Sequence, residues 1–230
     1  MKLLHESHQL HFFADNNDIT PTPLIIGGLL DKLGGFGLLP TLGSELNPNR
    51  GDKKQSLSMI TSDQKLKIHF WSQDMVILGE GQTQDEFYQE CKDIIGTMNT
   101  LYPLKLANRV SILTYKFYKG TIEEYENIYK ELFTFKAATP FEWDNRIVER
   151  EVLAKTKEEI NSISSIRRCE ISSEFINTGS QEDLIIFEID SNTRQQNNQP
   201  RFKLGNVVDI YDELFDNNKK LTKSLGKYFQ

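Results

Sequence analysis

Several features are scarce in this 230-residue chain, and each scarcity excludes a class of protein. The only two cysteines, Cys91 and Cys169, lie far apart, which fits a reducing compartment better than a disulfide-rich secreted domain. No apolar run approaches the ~18 residues of a membrane-spanning helix, and residues 1–8 lack the apolar core of a signal peptide. The 27 basic residues against 33 acidic ones leave no excess for nucleic acid or anionic membrane. We therefore expect a cytoplasmic protein without a membrane partner.

The clearest pattern that is present is a strand predicted over Leu106–Tyr118, near the middle of the chain. Because side chains of a strand point alternately to its two faces, Val110 and Ile112 would lie on one face and Leu113 and Tyr115 on the other. Apolar residues on both faces predict cover on both sides. We therefore place this strand at the centre of a sheet.

Helices and strands alternate around this segment. Helices are predicted after the capping residues Thr22, Thr83 and Thr121, to about Leu33, Tyr102 and Phe133, with a fourth over about Asn206–Tyr228. Period-two alternation predicts strands in 57–59, 66–70, 75–78, 145–154, 163–176 and 184–190, with a hairpin turn at 177–180, and residues 8–13 are compatible with a further short strand. Segments 40–52 and 191–199 are predicted loops because turn-forming and polar residues fill them.

The order of these elements predicts an α+β fold with a long C-terminal helix. Antiparallel strands followed by a helix occur in 56–102 and again in 145–228, so the sheet would be built from two pseudo-repeated blocks. We expect one compact domain over 1–230, and any division into halves would separate 1–135 from 136–230. The central strand would be the joint between the two blocks.

Three short stretches carry a resemblance to a family: Asn108–Tyr115, Leu184–Asp190 and Ile210–Phe215. In this order they resemble an arginine-containing strand, a late apolar strand and an aromatic and acidic helix segment in a sporadically distributed family of uncharacterised bacterial proteins. The chain departs from the family pattern at Lys116-Phe117, where an asparagine is expected, and its helix lacks the usual histidine. That family has no assigned activity, so the resemblance implies a two-block α+β fold and no function.

No histidine cluster or glycine loop matches a known site. His5, His8 and His11 are spaced by three, but on a strand His8 would face away from the other two. We interpret them as a frayed polar terminus, since a metal site needs ligands that are held in place. The glycines at 27–28 and 34–37 lie inside and after a predicted helix, which excludes a dinucleotide-binding loop between a strand and a helix.

Catalytic motifs are equally missing. Asp63 lies in a predicted turn, and Glu151 and Lys155 are four residues apart, so they lack the spacing of a metal-dependent nuclease core. No serine or cysteine has a recognisable base beside it. We therefore predict no catalytic residue, no metal and no cofactor, and the sequence offers no support for an enzyme.

Arg109 is the single charge near the start of the central strand. If the strand is central, its guanidinium needs a partner, because an unpaired buried charge is costly. That partner would be Glu188 or Asp190 on a neighbouring strand, or else an anionic ligand.

Two functions remain open. The first is a non-enzymatic interaction or accessory subunit of a bacterial complex, which would bind a protein partner or itself through sheet edges, helix faces and the loop 191–203. The second is a nucleic-acid-associated or nuclease-like accessory protein of a defence or mobile-element system. Clustering of the basic residues would favour the second function and scattering the first. The candidate binding residues are Arg109, Arg194, Arg201, Lys219, Lys220 and Lys223.

Overall fold

The computed structural model describes residues 1–46, 51, 53–135, 137 and 140–229, and shows an α+β fold with one ten-stranded antiparallel sheet. The strands are β1 (Lys2–Ala14), β2 (Leu38–Leu46), β3 (Lys53–Thr61), β4 (Leu66–Trp71), β5 (Asp74–Glu80), β6 (Leu106–Lys119), β7 (Trp143–Val152), β8 (Glu159–Ser173), β9 (Asn177–Thr193) and β10 (Phe202–Lys203). The α-helices of the described residues are α1 (Pro23–Leu33), α2 (Gln84–Leu101), α3 (Ile122–Leu132) and α4 (Val208–Leu225). The predicted fold class and the C-terminal helix are confirmed.

The strand order is β2-β3-β4-β5-β1-β6-β9-β8-β7, with β10 beside β6. The predicted central strand is confirmed, because β6 lies between β1 of the first half and β9 of the second. Each half of the chain begins with a strand and a helix, continues with an antiparallel meander and ends with a long helix. The two opening strands, β1 and β6, pair at the middle of the sheet, so β6 starts the second repeat. The sheet is continuous across the halves, while the single-domain assignment stays a prediction.

The two opening strands carry like residues at like positions. Ser7 and Phe13 of β1 correspond in position to Ser111 and Phe117 of β6. In the antiparallel pairing Gln9 lies opposite Leu113. Ser7 and Ser111 lie at equal distances on the two sides of this pair, and so do Phe13 and Phe117. The repeat is therefore visible in side chains as well as in the order of elements.

All four helices lie on one face of the sheet, which we call the covered face. Leu10 and Phe12 of β1 are fully buried there against α2 and α4, in a core that also includes Phe87. A second core forms where Tyr125 of α3 meets Phe187 of β9. The helix starts at Thr22, Thr83 and Thr121 are confirmed by side-chain caps, the last two as complete capping boxes.

Two predicted loops are wrong in part. Residues 38–46 form the edge strand β2, where Pro40 is tolerated because a sheet edge leaves one side of the backbone unpaired. Residues 47–50 and 52 of that predicted loop lie outside the described residues. Ser191 and Thr193 belong to β9 and are fully buried. The Ser191 hydroxyl donates to Asn218 of α4, which explains how so polar a segment is buried.

The predicted hairpin turn at 177–180 is misplaced. The turn between β8 and β9 occupies 174–176, and the Phe175 amide donates to the Ser173 hydroxyl 3.2 Å away. Residues 177–180 already belong to β9, so the strong turn propensity of their sequence is overridden by pairing with β8.

The prediction that both faces are covered is met by helices on one face only, although Val76, Leu184 and Ile186 on the other face are also buried. Among the described residues no helix lies on the second face, which we call the open face. On β1 and β6 this face carries His5, Ser7, Gln9, His11 and Phe13, opposite Phe117, Tyr115, Leu113, Ser111 and Arg109 in turn. On β5 it carries Val76 and Leu78, and on β9 Glu188 and Asp190. Leu113, Tyr115 and Phe117 are half-buried, so adjacent strands and side chains shelter them in place of a helix.

Candidate functional site

The two central strands give the open face aromatic ends and a polar middle. At one end the His5 ring lies 5.9 Å from that of Phe117 and 5.8 Å from that of Phe175, at the tip of the β8–β9 hairpin. At the other end the Arg109 guanidinium lies over the Phe13 ring, 4.7 Å from its centre. Burial raises the pKa of Tyr115, between these ends, to about 12, so its hydroxyl stays neutral at physiological pH. The face therefore offers stacking surfaces and hydrogen-bonding groups together.

Strand β9 adds two carboxylates to the open face. Asp190 accepts hydrogen bonds from the Ser111 hydroxyl at 2.9 Å and from the Asn192 amide at 2.8 Å. Among the described residues, neither Glu188 nor Asp190 has a Lys, Arg or His nitrogen within 4.0 Å. Burial raises the pKa of both carboxyl groups above their ordinary values. Arg167 acts against this rise in the pKa of Glu188, and Arg109 in that of Asp190, so the negative charges are compensated in part and without a direct ion pair.

Arg109 is not paired as predicted. Within the described part of the chain no carboxylate lies within 4.0 Å of its guanidinium, and its buried Nε has no hydrogen-bond partner. The guanidinium stacks on the Phe13 ring, while Ser111 and Asn192 donate hydrogen bonds to the oxygens of Asp190. Arg109 instead lines a cavity of about 400 Å³ between the end of β6 and the loop before β10.

The other predicted basic residues are scattered, and most are in ion pairs. Lys219, Lys220 and Lys223 lie on α4, whereas Arg194 and Arg201 flank the loop before β10. Ion pairs join Arg194 with Glu159, Arg201 with Glu158, Lys219 with Asp85 and Lys220 with Glu151. Arg201 lies beside Arg109, since its guanidinium donates to the Asn108 carbonyl, but the three lysines lie on α4, so the structure does not bring all six residues into one basic surface.

The frayed terminus predicted around the histidines is wrong, because all three lie in β1. His5 pairs with Glu80 at 2.8 Å and His11 with Asp74 at 2.7 Å on the open face. His8 faces the other way, as alternation predicted, and lies 3.1 Å from the Thr114 hydroxyl and 3.0 Å from the Gln82 carbonyl. Burial lowers the pKa of His8, which keeps the ring neutral. The described residues contain no group of three side chains that could hold a metal ion.

A cavity of about 850 Å³ lies beside the start of α2 and is rich in carboxylates. Three of its five acidic groups are occupied within the protein. Glu86 closes the capping box of α2, Glu80 pairs with His5, and Asp63 accepts from the Thr61 hydroxyl at 2.7 Å. The other two, Glu90 and Asp93, form no ion pair among the described residues.

Sequence reasoning named Glu188 and Asp190 only as partners of Arg109. The signal that could have found the β9 carboxylates is their spacing. Only Ile189 separates Glu188 from Asp190 in an otherwise apolar strand. Because side chains of a strand alternate between its two faces, the two carboxylates lie on the same face. Gln195 and Asn198, which line the Arg109 cavity, belong to the polar loop that was proposed as an interaction segment.

No protein-family model and no curated protein matches the sequence. Within the described residues no helix is both long and apolar enough to cross a membrane.

Proposed function

We propose that this protein is a non-enzymatic interaction module, an accessory subunit that docks a basic segment of a partner protein on the open face of its sheet. One observation carries the proposal: a ten-stranded sheet has all the described helices on one side, and its other side carries two partly buried carboxylates that form no direct ion pair. An uncovered sheet face of this kind is typical of an interaction surface.

The chemistry of the face favours a partner with lysine or arginine side chains. Glu188 and Asp190 lie on one strand, and a cation placed over them would offset the cost of their burial. Leu78 of β5 and Leu113 of β6 lie on either side of Gln9, in the row of residues that ends at Asp190, and offer apolar surface for the aliphatic part of such side chains. The whole chain is acidic, with a net charge of −6, which adds long-range attraction for a basic segment.

Nucleic acid fits this face less well. Carboxylates near the middle of the open face would repel phosphates, and four of the basic residues considered for phosphate contacts are in ion pairs. Nucleic acid enters the experiment as the competing outcome.

The proposal can be tested by selecting peptides from a random display library on the purified protein and measuring the binding of the enriched peptides by calorimetry. We expect peptides with basic and apolar residues, whose affinity falls at least about tenfold in the double variant E188Q/D190N, equivalent to about 1.4 kcal/mol. The matched control D31N/E131Q removes two charges from exposed residues of α1 and α3, and should bind as the unmodified protein does.

Three outcomes would overturn the proposal. Enriched peptides could lack basic residues, or the control could lose as much affinity as E188Q/D190N. The third is salt-sensitive binding of single-stranded or duplex oligonucleotides that E188Q/D190N strengthens, since this would favour the nucleic-acid function.

A further inference from the structure

The cavity beside Arg109 has the composition of a ligand site. It lies at one end of the open face and has a volume of about 400 Å³, within the range of small-molecule pockets. Its wall combines Phe13, Leu106 and Pro200 with the side-chain amides of Gln195 and Asn198. A few polar groups set among apolar ones can fix the orientation of a ligand without a large desolvation cost.

Arg109 is the only cation lining this cavity among the described residues, and its hydrogen-bonding capacity is unused. Its Nε is buried without a partner, and no hydrogen bond joins its other nitrogens to the described residues. The neighbouring arginine Arg201 differs, because its guanidinium donates to Glu158 at 2.5 Å and to backbone carbonyls. Burying part of a guanidinium without partners is costly, so an anionic partner from outside the chain would offset this cost.

We infer that the Arg109 cavity binds a small organic monocarboxylate. A guanidinium presents a planar fork that matches the two oxygens of a carboxylate, and stacking on Phe13 orients that plane. Asp15 also lines the cavity, so its lining has one positive and one negative group and does not favour a doubly charged phosphate. The site lies near Asp190, on which the Arg109 charge acts, but it does not depend on the proposed partner docking.

The test follows the ¹H–¹⁵N resonance of Arg109 Nε while the ¹⁵N-labelled protein is titrated with acetate, butyrate, benzoate and phenylacetate. Each acid is compared with its neutral amide, and phenyl phosphate serves as the dianionic probe. We expect saturable shifts for at least one acid, with a Kd of about 10 mM or lower for the aromatic acids, as the small number of heavy atoms in these ligands allows. The amide should bind at least about tenfold more weakly, since it lacks the charge.

Variants separate binding from folding. R109Q should abolish the carboxylate-induced shifts of the backbone resonances of Phe13, and R109K, which keeps the charge but loses the fork, should weaken them. R146Q, which makes the same change at an exposed arginine of β7, should bind benzoate normally, and so should E188Q, which alters only the proposed docking site.

The inference is overturned if no carboxylate produces a saturable shift at Arg109, if R109Q and R109K both keep the unmodified affinity, or if phenyl phosphate binds more tightly than every acid. A retained backbone spectrum for R109K keeps the experiment decisive even where R109Q does not fold.

Discussion

Phe12 and Phe13 are neighbours in β1, yet one is fully buried under helices and the other is half-buried on the open face. The covered face is apolar and closed by α2 and α4, whereas the open face mixes aromatic rings with histidines, an arginine and carboxylates. The comparison teaches that apolar alternation on both faces of a strand does not predict cover on both sides. Which face is covered depends on the side of the sheet on which the helices that connect the strands pack.

The largest expected difference between the faces is in stability. F12A should lower the free energy of unfolding by about 3–5 kcal/mol, because it opens a cavity in the core. F13A should cost about 1 kcal/mol, since a half-exposed ring buries less area and leaves no closed cavity. Urea denaturation of both variants measures this. Equal losses of stability in F12A and F13A would contradict the description of this face as open and indicate that it is covered, for example by self-association.

The next effect concerns close packing on the covered face. A Cβ at Gly79 of β5 would lie 2.4 Å from the Phe87 ring of α2 and 2.4 Å from Gln82 Nε2. G79A should therefore lower the free energy of unfolding by about 1–3 kcal/mol. G96A is the control, because nothing lies within 4 Å of a Cβ there, and in a helix it should stabilise by about 0.5–1 kcal/mol. Thermal or urea unfolding of both variants measures these changes. If G79A left the free energy of unfolding unchanged, α2 would have to shift easily.

A third prediction concerns His8, which the helices bury on the covered face. The folded-state pKa of His8 is lowered from 6.5, chiefly by burial, although the Gln82 carbonyl, Glu6 and Glu80 oppose this and Lys116 supports it. An unfolded chain then binds more protons, so stability is full above pH 6.5 and is lost as the pH falls below it. H8Q should remove part of this acid-induced loss. Urea midpoints between pH 7.5 and about 5 give the result, and parallel curves for H8Q and the unmodified protein would contradict it.

The smallest expected effect lies in the open-face carboxylates. The pKa of Glu188 is raised above 4.5 by burial, so its ionised form is disfavoured in the folded protein. E188Q should therefore stabilise the protein by a few tenths of a kcal/mol near neutral pH. This gain should shrink as the pH falls through the raised pKa, because the protonated carboxyl is neutral like glutamine. Destabilisation by E188Q at pH 7 would show that Glu188 has a cationic partner in solution.

Local signals predicted the helices well. Thr83 and Thr121 begin helices because the capping boxes with Glu86 and Glu124 satisfy free backbone amides, and this depends only on residues three apart. The length of β1 and β9 was not predicted, because their polar residues are buried by distant partners. Thr193, for example, bonds the Val110 amide at 3.0 Å on a strand 83 positions earlier in the sequence.

The candidate site was predicted only in part. Arg109 was identified from its position in a central strand, but its stacking on Phe13 depends on the register between β1 and β6. Arg194 and Arg201 likewise pair with Glu159 and Glu158, which lie at and just before the start of β8. The local sequence around the arginines does not reveal these partners. Long-range pairing, and not residue type, therefore decides which charges are left without partners.

The pairing of β1 with β6 also has a consequence for how the chain is made. Lys2 lies opposite Lys119, so one side of the first strand has no partner until the ribosome has completed β6. The β1–β5 pairing forms earlier, and β1 then remains a temporary sheet edge during synthesis. The charges and histidines that alternate along this strand, among them His5, Glu6 and His11, are the kind of residues that discourage such an edge from pairing with a neighbouring nascent chain.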